Sequence, residues 1–299
     1  MDSRNEIKDF LASRRARITP RQAGLPAYGG NRRVPGLRRE EVAMLAGMSV
    51  DYYVRLERGN LAGVSEAVLD SLARALQLDE AERDHLNDLA RAANSTSQRR
   101  RRPTQQQTQV PPSVQRILDS MTDAPAFVRN GRLDFLAANR LGYALYAPLF
   151  ADGRKPPANI ARFQFLDPGG REFFGLNWEE SMNNTVALLR TEAGRNPHDK
   201  GLTDLIGELV TRSEEFRTAW ARHNVRLHYS GFKHVHHPVV GDLTLAFDSL
   251  QLPAQPSLSL AAMSAEPGSP AEDALKLLAS WAATSGEALP DNVLGPRGA

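Results

Sequence analysis

The histidines are the first side chains in this sequence that could do chemistry. His234, His236 and His237 form its only histidine cluster, and alternate residues of a strand share a face, so His234 and His236 could chelate a metal ion. No carboxylate or cysteine has a spacing that completes the site, so a solvated strand face is the better interpretation. The sequence also lacks a phosphate-binding glycine loop, a nucleophile elbow and an HExxH motif. We therefore expect no enzyme activity, no metal site and no resident cofactor.

Arginine is the other chemically informative residue type. Only 5 of the 37 basic residues are lysine, and arginine suits bidentate contacts with phosphate and guanine, although a GC-rich genome would give the same bias. The charge is uneven, since residues 1–102 hold 19 Lys and Arg against 14 Asp and Glu, whereas residues 103–299 hold 18 against 21. A phosphate-binding surface requires such a basic half. We expect phosphate contacts, rather than a solvated face alone, from Arg32, Arg33, Arg38 and Arg39.

Residues 38–59 have the spacing of two short helices joined by a tight turn. Val42, Ala43 and Ala46 lie on one face of a helical pattern, which Gly47 then interrupts. A glycine at a helix C-terminus allows the left-handed backbone that redirects the chain sharply. The small alanine side chains leave room for a second helix to cross the first.

The second helix of this pair has its own start and stop signals. Ser49 is a natural N-cap, and Gly59 ends the pattern. Tyr53 and Leu56 are spaced to bury one face, and Met48 fits between the two helices. An ordinary helical hairpin would not need all of these residue types at these offsets. The segment therefore predicts a DNA-binding helix-turn-helix.

Three further helices complete an all-α N-terminal domain over residues 1–93. Helical patterns cover residues 4–17, 65–78 and 79–93. Residues 18–36, in contrast, hold four glycines and three prolines and predict an irregular insertion. A domain of this size can hold one recognition helix in a major groove.

Residues 94–112 (NSTSQRRRRPTQQQTQVPP) separate this domain from the rest of the chain. They have no apolar pattern and include four consecutive arginines, so they predict a flexible linker. The arginine run could add non-specific DNA affinity or could be a solvated tether, and the sequence does not decide between the two.

The helix-turn-helix stretch carries a family resemblance. Residues 34–59 (VPGLRREEVAMLAGMSVDYYVRLERG) are very similar to MmyB-like transcription regulators, and residues 4–93 resemble the Xre/Cro helix-turn-helix family. By position, the resemblance assigns base contacts in double-stranded DNA to Val50, Asp51 and Arg55. The residue chemistry agrees in part. Arg55 can bind guanine O6 and N7, Asp51 can accept from cytosine N4, and Val50 can only contact a thymine methyl.

The same resemblance implies contacts with the DNA backbone. It places Ser49 near the backbone and gives Arg39 a phosphate contact at the N-terminus of the first helix. Arg38, beside it, is expected to contact phosphate as well. Tyr52 is either a backbone contact or an exposed side chain, and the sequence leaves both open.

Composition excludes several classes of protein. The absence of cysteine excludes a disulfide framework and thiol catalysis and suits a cytosolic protein. Neither a signal-peptide-like apolar segment nor a run of about 18 apolar residues is present. We therefore expect a cytoplasmic protein that does not span a membrane. Its 299 residues are enough for two ordinary domains.

Residues 113–284 combine strands and helices. A hairpin is predicted at Asn130-Gly131, with Leu133 and Phe135 alternating after it, because a two-residue Asn-Gly connection is the strongest short hairpin signal. Asn139 could contact a ligand, but its place before a helical pattern makes an N-cap the default interpretation.

The rest of this domain predicts helices followed by strands. Helices are expected near residues 177–193, 200–210 and 213–222. Alternating apolar residues then predict strands at residues 225–229, 243–247 and 258–260. A final helix begins at Ser269-Pro270. The fold class is thus a helix-turn-helix domain followed by an α+β domain, with helices on one face of an antiparallel sheet and a tail over residues 285–299.

This order of elements resembles a PAS-type sensor fold, and the similarity to MmyB-like regulators continues through it. The matching stretches are APAFVRNGRLDFLAANR, EFRTAWARHNVR, HHPVVGDLTLAFDSLQLP and AEPGSP. The resemblance implies a PAS-like domain that senses a fatty acid or another apolar small molecule.

Aromatic side chains could line a pocket for such a molecule, with a place in the plain core as the alternative for each of them. The candidates are Phe127, Phe135, Phe163, Phe165, Phe173, Trp178 and Trp220. A fatty acid would also need a cationic or hydroxyl partner for its carboxylate. The candidates for that role are Arg222, Arg226 and His228.

Three functions remain open at this point. The first is a DNA-binding regulator that senses an apolar effector. The second is a constitutive regulator whose C-terminal domain only dimerises. The third is an enzyme built on the C-terminal domain, against which the missing catalytic constellation argues. One short recognition helix reads few base pairs, so we expect a homodimer on an inverted-repeat operator with half-site centres about one helical turn apart.

Overall fold

A computed structural model describes residues 3–26, 34–95, 109–153, 157–223 and 230–284. The chain divides into two compact units. The first unit consists of Met1–Arg100, Val186–Asp204 and Thr218–Leu227. The second unit consists of Arg101–Thr185, Leu205–Arg217 and His228–Ala299.

The N-terminal part of the first unit is helical, which confirms the all-α prediction. Its helices are α1 (Ser3–Arg17), α2 (Arg39–Leu45), α3 (Val50–Glu57), α4 (Glu66–Ala75) and α5 (Glu80–Ser95). They enclose one core, in which Phe10, Tyr53, Leu56 and Leu72 are fully buried.

The turn between α2 and α3 has the predicted geometry. Gly47 adopts a φ of 67°, and the Met48 N–H donates to the Ala43 carbonyl at 2.9 Å. The Ser49 hydroxyl accepts from the Tyr52 N–H at 3.2 Å and so caps α3. These contacts satisfy backbone groups that the ends of both helices would otherwise leave unpaired.

Helix α5 ends at Ser95 and α6 (Pro112–Ser120) follows. The arginine run of the predicted linker, like Arg32 and Arg33, lies outside the described residues. The proposed domain boundaries therefore stay predictions.

The helices of the C-terminal part include the three expected in its middle. After α6 come α7 (Arg140–Leu145), α8 (Ile160–Leu166), α9 (Pro168–Phe173), α10 (Trp178–Arg195), α11 (Lys200–Arg212), α12 (Glu214–Ala221) and α13 (Pro270–Thr284). A 3-10 helix, Ala147–Gly153, follows α7. The Asn139 side chain accepts from the Gly142 N–H at 2.7 Å, which confirms its N-cap role. Along the described ranges, no helix is both long enough and apolar enough to cross a membrane.

One antiparallel sheet organises the second unit and confirms the α+β class. Its strands are β1 (Ala126–Asn130), β2 (Asp134–Ala138), β3 (Ala158–Asn159), β4 (Ser230–His237), β5 (Gly241–Gln251) and β6 (Leu258–Ser264). Their order in the sheet is β3-β2-β1-β6-β5-β4. The strand expected at residues 225–229 lies outside the described residues.

The first hairpin differs from its prediction in the length of its loop. Three residues connect β1 to β2, rather than the two of an Asn-Gly turn. The Asn130 side chain is the physical reason, because its oxygen accepts from the N–H groups of Arg132 and Asp134, both at 3.0 Å. Leu133 consequently adopts a φ of 64° inside the turn instead of opening the strand.

Both faces of the sheet are covered in part, which corrects the expectation that helices lie on one face. Helix α6 packs on the outer face, where Leu118 meets Val128 and Leu260. The inner face carries Phe127 and Phe135, which alternate with the outward side chains of β1 and β2.

Candidate DNA-binding and ligand-binding sites

Helix α3 buries one face in the core and exposes the other. Tyr53 and Leu56 are fully buried, whereas Val50 is 44% exposed and Asp51 and Arg55 are exposed. An eight-residue helix with its apolar side anchored can present the other side to base edges. The structure thus brings the three predicted base contacts onto one accessible surface, where their role stays a prediction.

Tyr52 lies between these two faces. Its side chain is half-buried and packs against the core, and the Arg55 guanidinium lies 5.9 Å from its ring centroid. A cation near an aromatic face is attracted to it. Tyr52 can therefore orient Arg55 without touching DNA, a role that the sequence did not indicate.

Arg39 is tied to the core of the helix-turn-helix through Glu57. The buried carboxylate of Glu57 binds the Arg39 guanidinium and accepts from Arg15 Nε at 2.6 Å. Burial alone would raise the pKa of Glu57, but the hydrogen bonds from Arg15 and Arg39 outweigh it and lower the pKa. Since the Arg39 side chain is still 56% exposed, it can both hold α2 against α3 and face a phosphate.

Arg38 differs from its neighbour, because its guanidinium is paired with the exposed carboxylate of Glu40 and not with a buried one. It lies 3.3 Å from Glu40 and is half exposed. Its backbone N–H donates to the Glu41 carboxylate at 2.6 Å, and this contact caps α2. Arg38 is therefore placed at a helix N-terminus, where anions bind readily.

The aromatic residues predicted for a pocket form a packed cluster on the inner face of the sheet. Phe127 and Phe135 stack with ring centroids 4.7 Å apart, and the Phe163 and Phe173 rings lie 6.0 Å apart. The structure adds Tyr146, whose ring lies 5.1 Å from Phe127 and 5.5 Å from Phe173. Tyr143, Phe150 and Phe174 join the same cluster.

The sequence reasoning missed these four residues. Tyr143 and Tyr146 are three apart on α7, a helical spacing that could have indicated them.

Other predicted ligand residues lie apart from this cluster. Phe165 packs against Phe216 at 5.0 Å, and Trp178 lies under the Arg171 guanidinium at 4.1 Å. Trp220 and the exposed Arg222 belong to the first unit. Arg226 and His228 lie outside the described residues.

A cleft with a volume of about 330 Å³ opens in the second unit. Its lining is mainly apolar: Ala147, Pro148, Ala151, Asp167, Gly169, His237, Pro238, Val239 and Trp281. The cleft and the aromatic cluster share two elements, the 3-10 helix that carries Phe150 and the helix α9 that carries Phe173. An apolar molecule in the cleft would therefore contact two of the elements that carry the rings.

His237 is the buried polar residue of this cleft. Its Nε2 lies 3.0 Å from the Ala144 carbonyl, and its Nδ1 accepts from the Val239 N–H at 3.2 Å. Both ring nitrogens are thus used in the neutral form, and burial lowers the pKa of His237. The other two histidines face outward, with His236 Nδ1 lying 2.6 Å from Asp242 and His234 Nδ1 lying 3.0 Å from Thr244.

Comparison with protein families identifies both parts of the chain. A family profile for the MmyB-like transcription regulator ligand binding domain matches residues 110–278, and a helix-turn-helix domain matches residues 9–86. The chain belongs to the MmyB-like transcription regulators. It is therefore a DNA-binding transcription regulator with a ligand-binding domain. No curated protein matches the chain.

A buried ion cluster within the first unit links α1 to α10. Arg190 on α10 is fully buried and binds the carboxylate of Glu6 on α1. The same guanidinium donates to the Trp220 carbonyl, and its carbon lies 4.0 Å above the Trp220 ring centroid. His223 Nδ1 lies 2.9 Å from Arg190 Nη1. Burial alone would raise the pKa of Glu6, but His223 and Arg190 lower it to about 2.

His85 on α5 packs against this cluster without forming hydrogen bonds to any described residue. Its ring meets Phe10 edge-on at 5.0 Å, and burial lowers its pKa to about 3, so it is neutral. Gly194 on α10 lies flush against it, because an added Cβ would come within 2.8 Å of the imidazole. Beside them, Arg195 Nε donates to Asp88 at 3.0 Å. Arg190, Gly194 and Arg195 fall in the stretch matched to the ligand-binding domain, and His85 falls in the helix-turn-helix stretch.

Proposed function

We propose that the protein is a cytoplasmic homodimeric regulator whose affinity for its operator changes when an apolar small molecule binds, with a fatty acid as the first candidate. The observation that carries the proposal is the pairing of an exposed recognition face on α3 with an aromatic, mainly apolar interior in the matched ligand-binding domain. Neither part suggests a reaction, so the effector is bound and not converted.

The DNA side of the proposal rests on Val50, Asp51 and Arg55. Their side chains match thymine methyl, cytosine N4 and guanine O6/N7 respectively. An eight-residue recognition helix spans too few base pairs to select one site in a genome. A dimer on an inverted repeat, with half-site centres about one helical turn apart, doubles the sequence that is read.

The ligand side rests on the cleft and the ring cluster beside it. Each buried CH₂ group contributes about 0.8 kcal/mol, so an apolar molecule suits a mainly apolar cleft that shares two elements with the aromatic cluster. The rings already contact one another, and a longer ligand must therefore select a state in which they separate. A ligand that binds two states unequally shifts their populations, and this shift is the proposed signal.

Ligand extraction and titration test this function. Molecules released from the purified full chain are identified by mass spectrometry, and fatty acids of increasing length are titrated calorimetrically. The proposal predicts that affinity rises with chain length until the interior is filled. No released molecule together with no binding at any length would contradict it.

A second candidate function is a constitutive regulator whose C-terminal domain only dimerises. The observation that favours it is the close contact of the rings on the inner face, with Phe127 and Phe135 stacked at 4.7 Å. Under this alternative the full chain is a dimer, binds its operator and ignores every apolar molecule tested. Light scattering combined with the same titrations separates the two functions.

A further inference from the structure

Lys233 lies on the inner face of the sheet, among mainly apolar neighbours on β4 and β5. Successive residues of β4 alternate between faces, so Lys233 shares the inner face with the buried residues Val235 and His237. Its partner across β5 is Leu245, which is fully buried. A charged side chain on such a surface is unfavourable unless something pairs with it.

The Lys233 ammonium lies against an aromatic ring. Its Nζ lies 4.9 Å from the Phe247 ring centroid. In the described parts of the chain, no carboxylate lies within 4.0 Å of this nitrogen. Burial lowers the pKa of Lys233 to about 8; the charge of Arg129 adds to this, and Glu180 opposes it. The ammonium is therefore a half-buried cation that lacks a counter-ion among the described residues.

Other polar groups lie on the same face, across the neighbouring strands. Arg129 on β1 is the register partner of Ser259 on β6, and Ser249 on β5 pairs with the next inward residue of β6, Ala261. Ser249 and Ser259 are both buried. The hydroxyl of Ser249 has no hydrogen-bond partner within the described ranges. Ser249 and Ser259 are therefore diagonal neighbours on one face, about 7–8 Å apart, and Arg129 lies directly opposite Ser259.

The direction of the lysine side chain brings these groups towards each other. Along β5, the inward residues run from Leu245 through Phe247 to Ser249. Lys233 begins beside Leu245 and lies over Phe247, so it leans towards Ser249. The charge of Arg129 acts both on Lys233 and on Tyr146 of the ring cluster. The polar patch therefore borders the aromatic interior.

We propose that Lys233, Arg129 and Ser249 bind the acidic group of an organic anion whose apolar body lies against the aromatic cluster. This inference rests on the proposed function, since it assigns the head group of the effector. Two cations and a hydroxyl donor supply charge-assisted hydrogen bonds, which are stronger than neutral ones. Along β4, Lys233 and His237 are four residues apart, or about 13 Å at about 3.3 Å per residue. Because Lys233 leans away from His237, the apolar body of the ligand would lie against the aromatic cluster rather than in the cleft.

The charge of the patch favours a carboxylate over a phosphate. Glu180 acts on Lys233 with a negative charge and would repel a doubly charged head group more than a singly charged one. A carboxylate has one charge and two acceptor oxygens with about four lone pairs, enough to accept from the ammonium, the guanidinium and the hydroxyl together.

Paired titrations of the full chain test the assignment. Decanoic acid and 1-decanol have the same chain and differ in their head groups, so their affinities at pH 7 isolate the acidic group. For Lys233→Met, we expect acid affinity to fall by about 10- to 100-fold, as for loss of a hydrogen bond to a charged group, and alcohol affinity to change less than threefold. Lys276→Met, at an exposed lysine on α13, is the matched control and should leave both affinities unchanged.

Two further variants test the assignment even if Lys233→Met fails to fold. Lys233→Arg retains the charge and should retain most of the acid affinity. Ser249→Ala removes only the hydroxyl and should lower acid affinity by a few-fold. The head-group assignment would be overturned if the wild type bound acid and alcohol with equal affinity and if Lys233→Met changed neither affinity. Such a result would leave apolar sensing intact. If the acid fails to bind the wild type at all, this assignment is wrong, and binding of the alcohol then decides whether apolar sensing survives.

Discussion

Arg55 is the residue that we expect to contribute most directly to base recognition, because its side chain is exposed and its guanidinium lies 5.9 Å from the Tyr52 ring centroid. Arg55→Ala should weaken operator binding by about 1–3 kcal/mol and relax specificity at one base pair. Binding titrations against operators that carry single substitutions measure both effects. Arg212→Ala, at an exposed arginine of α11, should change neither.

Arg39 should differ from Arg55 in its effect on sequence specificity. Arg39→Ala should weaken binding to all sequences alike and lower the salt slope by about one. It should also lower the free energy of unfolding, since the buried carboxylate of Glu57 loses one of its partners. If Arg39→Ala changes specificity and Arg55→Ala does not, the recognition helix has been assigned wrongly.

His85 gives the stability of the protein a defined pH dependence. Its pKa is about 6.5 in the unfolded chain and is lowered to about 3 in the folded protein by burial. The unfolded state therefore binds more protons between these values, and stability falls as the pH falls below about 6.5. The slope for this one group is about 1.4 kcal/mol per pH unit.

Urea unfolding between pH 7 and pH 4 measures this slope. In His85→Gln the contribution of the imidazole disappears, so the decline should be shallower. His198→Gln, at an exposed histidine, is the control and should follow the wild type. Parallel curves for His85→Gln and the wild type would show that the imidazole is already charged or accessible in the folded state.

Among the elements, the turn between α2 and α3 depends on the backbone of one glycine. Gly47 has a φ of 67°, and an added Cβ there would meet nothing within 4 Å. Gly47→Ala should therefore lower stability only through backbone strain, by about 1–2 kcal/mol. Gly207→Ala in α11, also without a neighbour within 4 Å, should instead raise stability by about 0.5–1 kcal/mol. Thermal unfolding should therefore show a lower midpoint temperature for Gly47→Ala and a higher one for Gly207→Ala. Midpoint shifts of the same sign would contradict this prediction.

Elements with local signals could be predicted from the sequence, and those set by distant contacts could not. Ser49 and Asn139 are N-caps in the structure as predicted, because a cap depends on residues within one helical turn. The first hairpin was mispredicted by one residue, since the Asn130 side chain forms its own hydrogen bonds and Leu133 is buried despite its positive φ.

The residues of the candidate ligand site could also be predicted from the sequence only in part. Residue type alone selected Phe127 and Phe135, which do share the inner face. It also selected Trp220, which belongs to the first unit and packs against Arg190. Only the three-dimensional path of the chain distinguishes these cases. Lys233 was not selected, since the sequence alone does not show which face of β4 is buried.

At the scale of the whole molecule, the pair Glu6 and Arg190 joins residues 184 positions apart. Breaking a buried ion pair by removing one partner typically costs about 3–5 kcal/mol. Glu6→Gln and Arg190→Met should each lower the urea midpoint strongly, whereas the double variant should recover part of the loss. If the two substitutions lowered the free energy of unfolding additively, the two groups would not interact in solution.

We propose that one molecule binds an apolar effector and that this binding changes its affinity for DNA. Linkage requires that the effector change operator affinity by the same factor by which the operator changes effector affinity. The deciding measurement is operator binding by the full chain, followed by fluorescence anisotropy, with and without a saturating fatty acid of the best-binding length. We predict a shift of about 5-fold or more, matched by the reciprocal calorimetric titration. Operator affinity that stays constant while the fatty acid is demonstrably bound would contradict the account.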